Sequence, residues 1–289
     1  MSIRSLAGLD HVVFVVRDLA ASQQLWADFG FSVSPRGYHP DHMGTANHTI
    51  MLGEDYIEIV GVLKPTGHNE KSREFLTHHS EGIERIAFTT DDADATAADL
   101  RANSLQAIGP LDFTRPVDLP DGRESVASFR TLFWPVSERP AGMRIFACQH
   151  LTRDTVWIPE LTRHANTARR IARMDVLTND PKAAAAHMSR LIGTAAGRTI
   201  DGYPIIRSGG NRASIVFLDR KGVAARHSAI ADSNKMSDGC VALAIQADDL
   251  GTASGKKSRL TSGTDRTIKY APADANGVIL EFTTEVEAP

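Results

Sequence analysis

Residues 9–62 read LDHVVFVVRDLAASQQLWADFGFSVSPRGYHPDHMGTANHTIMLGEDYIEIVGV, and the rhythm of that stretch decides the fold. Leu9 to Val16 is dense in β-branched residues and reads as a buried strand. Asp18 stands where an N-cap belongs, ahead of a segment in which Leu19, Trp26 and Phe29 recur at helical spacing, and Gly30 ends that helix. FSVSP reads as a short strand closed by Pro35. After the loop RGYHPDHMGTAN come two more strands, HTIML and YIEIVGV, joined by the turn Gly53-Glu54-Asp55. The order is β-α-β-β-β.

The same order returns. GIERIAFTT (82–90) is a strand, Asp91 or Asp92 can cap the helix that follows, and SVASFRTLFW and MRIFACQH are later strands. A third copy opens at ARRIARMDVL, with Asp180 and Pro181 as cap and first helical residue, and RASIVFLD is its final strand. A fourth runs from GCVALAIQADDL to GVILEFTTE around a polar, poorly periodic middle. Four weak copies of one unit imply two paired halves. The reading is an N-terminal pair at 1–150, a linker at 151–168 where periodicity lapses, and a C-terminal pair at 169–289.

Composition narrows the function. The 289 residues are 42% hydrophobic with a formal charge of -3, which gives no electrostatic reason to expect nucleic acid or an anionic membrane as partner. Cys148 and Cys240 lie far apart and form no C-x-x-C motif, as suits a reducing cytoplasm. No apolar leader and no run long enough to span a bilayer are visible, so a cytoplasmic location is expected. The phosphate-binding loop, the dinucleotide glycine fingerprint and G-x-S-x-G are all missing, which leaves nucleotide cofactors and serine-hydrolase chemistry unsupported.

The repeats, with LDHVVFVVRDL, GYHPDHMGTANHTIML, YIEIVGV and MRIFACQHLTRDTVW, resemble the vicinal-oxygen-chelate superfamily, and within it the glyoxalase-like domain proteins. The resemblance implies an α+β fold of four βαβββ modules, paired into two curved, half-open mixed sheets of the glyoxalase/bleomycin-resistance/extradiol dioxygenase type. It implies a divalent metal inside the cup, with His11 as first-strand ligand and Glu58 as last-strand ligand. Imidazole plus carboxylate suits Zn, Fe, Mn, Co or Ni. It also implies a small-molecule substrate, and a homodimer is a common arrangement.

The residues themselves allow two readings of this pair. A carboxylate within a buried strand is costly unless paired or metal-bound. Glu58 could instead pair with Arg85 across the cup, leaving His11 as a satisfied core histidine. Two usual ligand positions are not ligands here: aligning the modules puts Arg85 and Phe146 on them. Phe146, Cys148 and His150 share a face by alternation, so His150 could complete a His11, Glu58, His150 set. In the C-terminal half the equivalents of His11 are Arg173 and Ala242 and only Glu281 survives, so that half is expected to be inert as a metal site. Extradiol dioxygenases carry iron in that half, which argues against ring cleavage.

Other candidates lie nearby. The histidine-rich loop offers Arg36 and Asn47 for a polar or anionic substrate and His39 as acid or base. His48 reads as an inward-facing proton shuttle or ligand. Arg85 and Arg130 could clamp a carboxylate or phosphate, or face solvent. Trp134 and Phe133 would line the pocket. HHS at 78–80 and KKSR at 256–259 read as solvated surface. The leading expectation is a lyase or isomerase that stabilises an enolate or alkoxide, with Glu58 or a nearby histidine moving the proton. The alternatives are a sequestering module of the same fold, against which 6% aromatic content weighs, and a metal-free enzyme built on Glu58 and Arg85.

Overall fold

A computed structural model describes residues 3, 5–119, 122–227, 230, 232–253, 262–264 and 266–285. The basic run at 256–259 lies outside the described residues. The first module comprises β1 (Leu6–Val16), α1 (Leu19–Asp28), β2 (Gly37–Tyr38), β3 (Thr45–Met51) and β4 (Tyr56–Val62). A linking helix α2 (Glu70–His78) leads to β5 (Gly82–Thr90), α3 (Ala93–Ala102), β6 (Ile108–Asp118), β7 (Glu124–Phe133) and β8 (Arg144–His150). The C-terminal half repeats the plan with β9 (Ala168–Leu177), α4 (Pro181–Ile192), β10 (Ala196–Arg198), β11 (Pro204–Arg207), β12 (Ser214–Leu218) and the link α5 (Arg220–His227). It ends with β13 (Gly239–Ala247), α6 (Leu250–Ala253), β14 (Ser262–Thr264), β15 (Thr267–Tyr270) and β16 (Ile279–Thr283).

The strands form two eight-stranded sheets of identical plan, ordered 2-3-4-1-5-8-7-6 and 10-11-12-9-13-16-15-14. In each, the first strands of two modules pair antiparallel at the centre, and each first strand pairs parallel with its own module's last strand. Those central strands are covered on both faces, which is why they read as continuous apolar runs. The helices start where short polar side chains can cap them. Asp18 accepts from the amides of Ala20 and Ala21, Asp92 from Ala95 and Asp180 from Ala183.

Sheet one curls until β2 meets β6, making a deep N-terminal cup. The convex faces of both sheets and the helices share one core, running from Phe14, Trp26 and Phe29 to Tyr270 and Phe282. One sequence expectation fails locally. FSVSP is not a strand, because Ser34 makes a single strand-like bond to Thr49, Ser32 turns its amide to His164, and Pro35 has none to offer. The edge strand is Gly37–Tyr38, inside what reads as loop.

Candidate active site

The concave face of the N-terminal cup encloses a cavity of about 120 Å³. Its walls are aromatic: Phe113 stacks on Phe129 at 4.8 Å, Phe133 on Phe146 at 5.4 Å, and Tyr56 on the His11 ring at 4.2 Å. Across its floor runs a chain of histidines and carboxylates. His150 Nε2 lies 3.0 Å from Asp10 Oδ1, which also accepts from His11 Nδ1 at 2.6 Å. His11 Nε2 faces Glu58 Oε2 at 3.8 Å, and His39 Nε2 faces Glu58 Oε1 at 3.5 Å. The far end is fixed by the bond between His39 Nδ1 and Thr45 Oγ1 at 2.8 Å, and Asn47 Nδ2 donates to Glu58 Oε1 at 2.6 Å.

A bulge builds this chain. The register of β1 on β5 slips between Leu9 and His11, so Asp10 reaches the same floor as its neighbour instead of the opposite face. Thr89 Oγ1 donates to its second oxygen at 2.7 Å. Burial pushes the Asp10 carboxyl up, but His150 and His11 outweigh it and hold it well below the usual range. Glu58 behaves alike: burial raises it, and the hydrogen bond and charge of His39, with His11 and Arg85, prevail to keep it ionised. With Asp10 a carboxylate, His11 donates to it through Nδ1 and presents Nε2 to the cavity.

The remaining sequence candidates divide by strand alternation. Thr45, Asn47 and Thr49 line the cup, so His48 between them faces the opposite side, where its Nδ1 meets the Ser34 carbonyl at 2.8 Å. It stands neither beside His11 nor near Glu58, and burial lowers its pKa. Phe129, Thr131 and Phe133 line the cup, so Arg130 points outward to Asp94 and Asp112 at 2.6 and 2.8 Å. Trp134 is buried in the main core. Arg36 lines a neighbouring groove between the β2 edge and residues 155–161. Arg85 is inside the cup, but its ion pair is with Glu84 at 2.6 Å, and Arg144 shares that carboxylate. The alternative Glu58–Arg85 ion pair is not formed among the described residues. His150 joins the floor through Asp10 rather than through Glu58, and its buried Nδ1 has no hydrogen-bond partner there.

Three charged or titratable residues of the cavity, Arg115, Arg144 and His68, escaped the sequence reading, as did Asp10 buried behind His11. Asp10 was hidden by the bulge. Phe113, Arg115 and Val117 alternate on β6, a signal masked by the intervening Thr114 and Pro116. His68 and Asn69 immediately precede α2, a mostly polar helix with few apolar residues to announce it.

For a metal, the floor offers two donor sets. His11 Nε2 and Glu58 share one patch of cavity, and the bond from His11 Nδ1 to a carboxylate is the support that metal-binding histidines have. Next to it, Asp10, Cys148 and His150 each place a ligand atom within 4.8 Å of the others. Residues and group fit in kind. The C-terminal cup differs. By register Arg173, Val216, Ala242 and Glu281 take the places of His11, Glu58, Arg85 and Phe146. Arg173 pairs there with Glu281 at 3.0 Å and Asp175 at 2.8 Å, so a salt-bridge cluster fills the place that His11 and Glu58 occupy in the N-terminal cup.

Paired βαβββ modules around a cup with His and Glu on its floor define the vicinal-oxygen-chelate class. The family model described as "Glyoxalase-like domain" matches residues 9–192, and the chain belongs to that family. Among solved structures, a hypothetical protein from Staphylococcus aureus superposes with a TM-score of 0.68 at 13% identity, covering 95% of this chain and 98% of that one. Methylmalonyl-CoA epimerase from Mycobacterium tuberculosis covers 53% of this chain and 94% of its own at 17% identity and a TM-score of 0.41. A variant of the Streptomyces coelicolor methylmalonyl-CoA epimerase, in complex with 2-nitronate-propionyl-CoA, covers 51% and 97% at 21% identity and a TM-score of 0.40. No curated protein matches. Among the described residues no helix is long and apolar enough to cross a membrane.

Proposed function

We propose that this protein is an enzyme of lyase or isomerase type that moves a proton on a small carbonyl or vicinal-oxygen compound bound in the N-terminal cup. The observation that carries the reading is the convergence of His11 Nε2 and His39 Nε2 on the two oxygens of Glu58 within an aromatic-walled cavity. His11 and Glu58 would hold a divalent metal (Zn, Fe, Mn, Co or Ni by donor type), which supplies Lewis acidity to an enolate or alkoxide oxygen. His39 takes and returns the proton. Its Nδ1 is anchored by Thr45, and the positive charge it gains rests against Glu58, which its surroundings keep anionic. The rings around the floor exclude water and flatten against a planar intermediate. Residues 1–150 then form the working unit and residues 169–289 a supporting one, joined through 151–168.

Elemental analysis of the wild type beside His11→Ala and His39→Ala tests this. We expect near-stoichiometric metal in the wild type, its loss in His11→Ala, and retention in His39→Ala together with a fall in turnover of about 10²–10⁴-fold. Absence of metal from all three after incubation with Zn, Mn, Fe and Ni would sink the metal part. A second reading, sequestration of a flat ligand, is favoured by how many of the chain's few rings gather in this cup. A ligand bound tightly and recovered unchanged would support it.

A further inference from the structure

We infer that the molecule the cup receives is a small carboxylate, gripped by Arg115. The inference rests on the proposed function of the same cup and names its substrate class. Arg115 projects inward from β6 between Phe113 and Val117, lining both the cavity and the groove beside it. Its guanidinium has no ion pair or hydrogen bond among the described residues, whereas Arg85 and Arg144, the other arginines of the cavity, are both engaged by Glu84. Glu58, the cavity carboxylate whose charge Arg115 feels, is occupied by Asn47 and flanked by two histidines.

An arginine is charged at every working pH and carries five donors in a planar fork. Leaving that fork half-buried and unpaired is costly, and a ligand carboxylate accepting two parallel bonds removes the cost. The protein also makes room for it. A side-chain carbon on Gly37 would sit 3.2 Å from Arg115 Nη1 and 2.6 Å from Asn47 Oδ1, so glycine here leaves room for both side chains where they stand. The charges of the lining agree: it carries three guanidiniums, Arg85, Arg115 and Arg144, and one carboxylate, Glu58, while Glu84, outside the lining, engages only Arg85 and Arg144. A carboxylate seated on Arg115 lies beside Asn47, which is bonded to Glu58, so the rest of a small ligand extends onto the His11–Glu58–His39 floor.

The test is calorimetric titration of the metal-replete protein with short-chain mono- and dicarboxylates, their neutral amides, and inorganic phosphate. Wild type, Arg115→Met and Arg115→Lys are compared, with His11→Ala alongside. We expect one or more carboxylates to bind the wild type and their amides to fail. Arg115→Met should weaken binding by at least about tenfold, and Arg115→Lys should recover part of it. Metal content and circular dichroism should stay unchanged in both. Carboxylate binding that survives in His11→Ala while metal is lost would show that the anchor and the metal ligand act separately; carboxylate binding in a wild type that takes up no metal would keep the anchor and overturn the metal reading instead. Amides binding as well as acids, no carboxylate binding at all, phosphate binding in preference, or equal binding by Arg115→Met would each overturn the anchor. Should Arg115→Met fail to fold, the acid–amide comparison on the wild type and Arg115→Lys decides.

Discussion

Asp10 shows how much one residue can determine. It is fully buried, it accepts from two histidines and a threonine, and it sets which nitrogen of His11 meets the cavity. Asp10→Asn keeps the shape and removes the charge that holds that tautomer. We expect a loss of about 10–100-fold in metal affinity or activity with little change in fold, read by metal titration beside circular dichroism. Asp55 makes a different demand. Its carboxylate receives the Ile171 amide at 3.1 and 3.2 Å, across the junction of the two halves. Burial raises its pKa from 3.8 to about 7, against the pull of the Ile171 amide, Arg212 and Arg170. The folded state therefore holds this proton more tightly than the unfolded one. That contribution to stability is full below about pH 4 and is lost as pH rises through 7. Denaturant titrations at pH 5 and pH 8 should show the wild type falling relative to Asp55→Asn, by on the order of a few kcal/mol. Parallel curves would mean that Asp55 is ionised throughout.

At the scale of elements, legibility followed burial. The first and last strands of each module, such as Leu6–Val16 and Ile279–Thr283, are almost wholly buried, and their apolar runs could be read directly. The outer strands could not. β6 alternates exposed and half-buried residues around Pro116, and β2 is two residues long. That difference carried into the site. His11, Glu58 and His39 were readable because they stand in or next to well-marked strands, while Arg115 sits on a strand without an apolar signature and Asp10 on a bulge that alternation cannot foresee. His48, expected to face inward, and Arg130, left open between cup and solvent, each stand one residue of alternation from the cup's lining, enough to change faces. The loop before β3 depends on Gly44, at φ +63, where a side-chain carbon would come 2.5 Å from the Lys64 carbonyl. Gly44→Ala should lower stability by about 1–3 kcal/mol and weaken turnover with it, because the same turn sets Thr45 and through it His39. Calorimetric melting paired with an activity assay checks this; stability lost with turnover intact would separate the loop from the site.

Across the whole molecule, the two cups are not two free-standing domains on a string. Trp26 of α1 donates through Nε1 to Asn276 Oδ1 at 2.8 Å, and Asn276 Nδ2 returns to Ser22 and Glu81 at 3.0 and 2.7 Å. Phe29 packs edge-on against Tyr270 at 4.8 Å, and Phe31 stacks on Phe282 at 5.7 Å. A sheet whose convex face is covered by the partner sheet and shared helices loses that cover when the halves part, so each pair of modules buries apolar surface that the other would expose. Both halves should then unfold together, and the chain provides its own reporter, because, of its 3 tryptophans, Trp26 and Trp134 lie in the N-terminal half and Trp157, in the linker, packs against it. Asn276→Gly removes the cross-links without backbone strain, since φ +46 at this position suits glycine. It leaves the buried indole N–H unpaired, at a cost of about 1–3 kcal/mol. If the halves are coupled, this C-terminal change lowers the denaturation midpoint seen by N-terminal tryptophan fluorescence by the same amount as the midpoint seen by far-ultraviolet circular dichroism. An unmoved fluorescence midpoint beside a shifted dichroism midpoint would mean that the cups fold independently and that the shared core is only a contact.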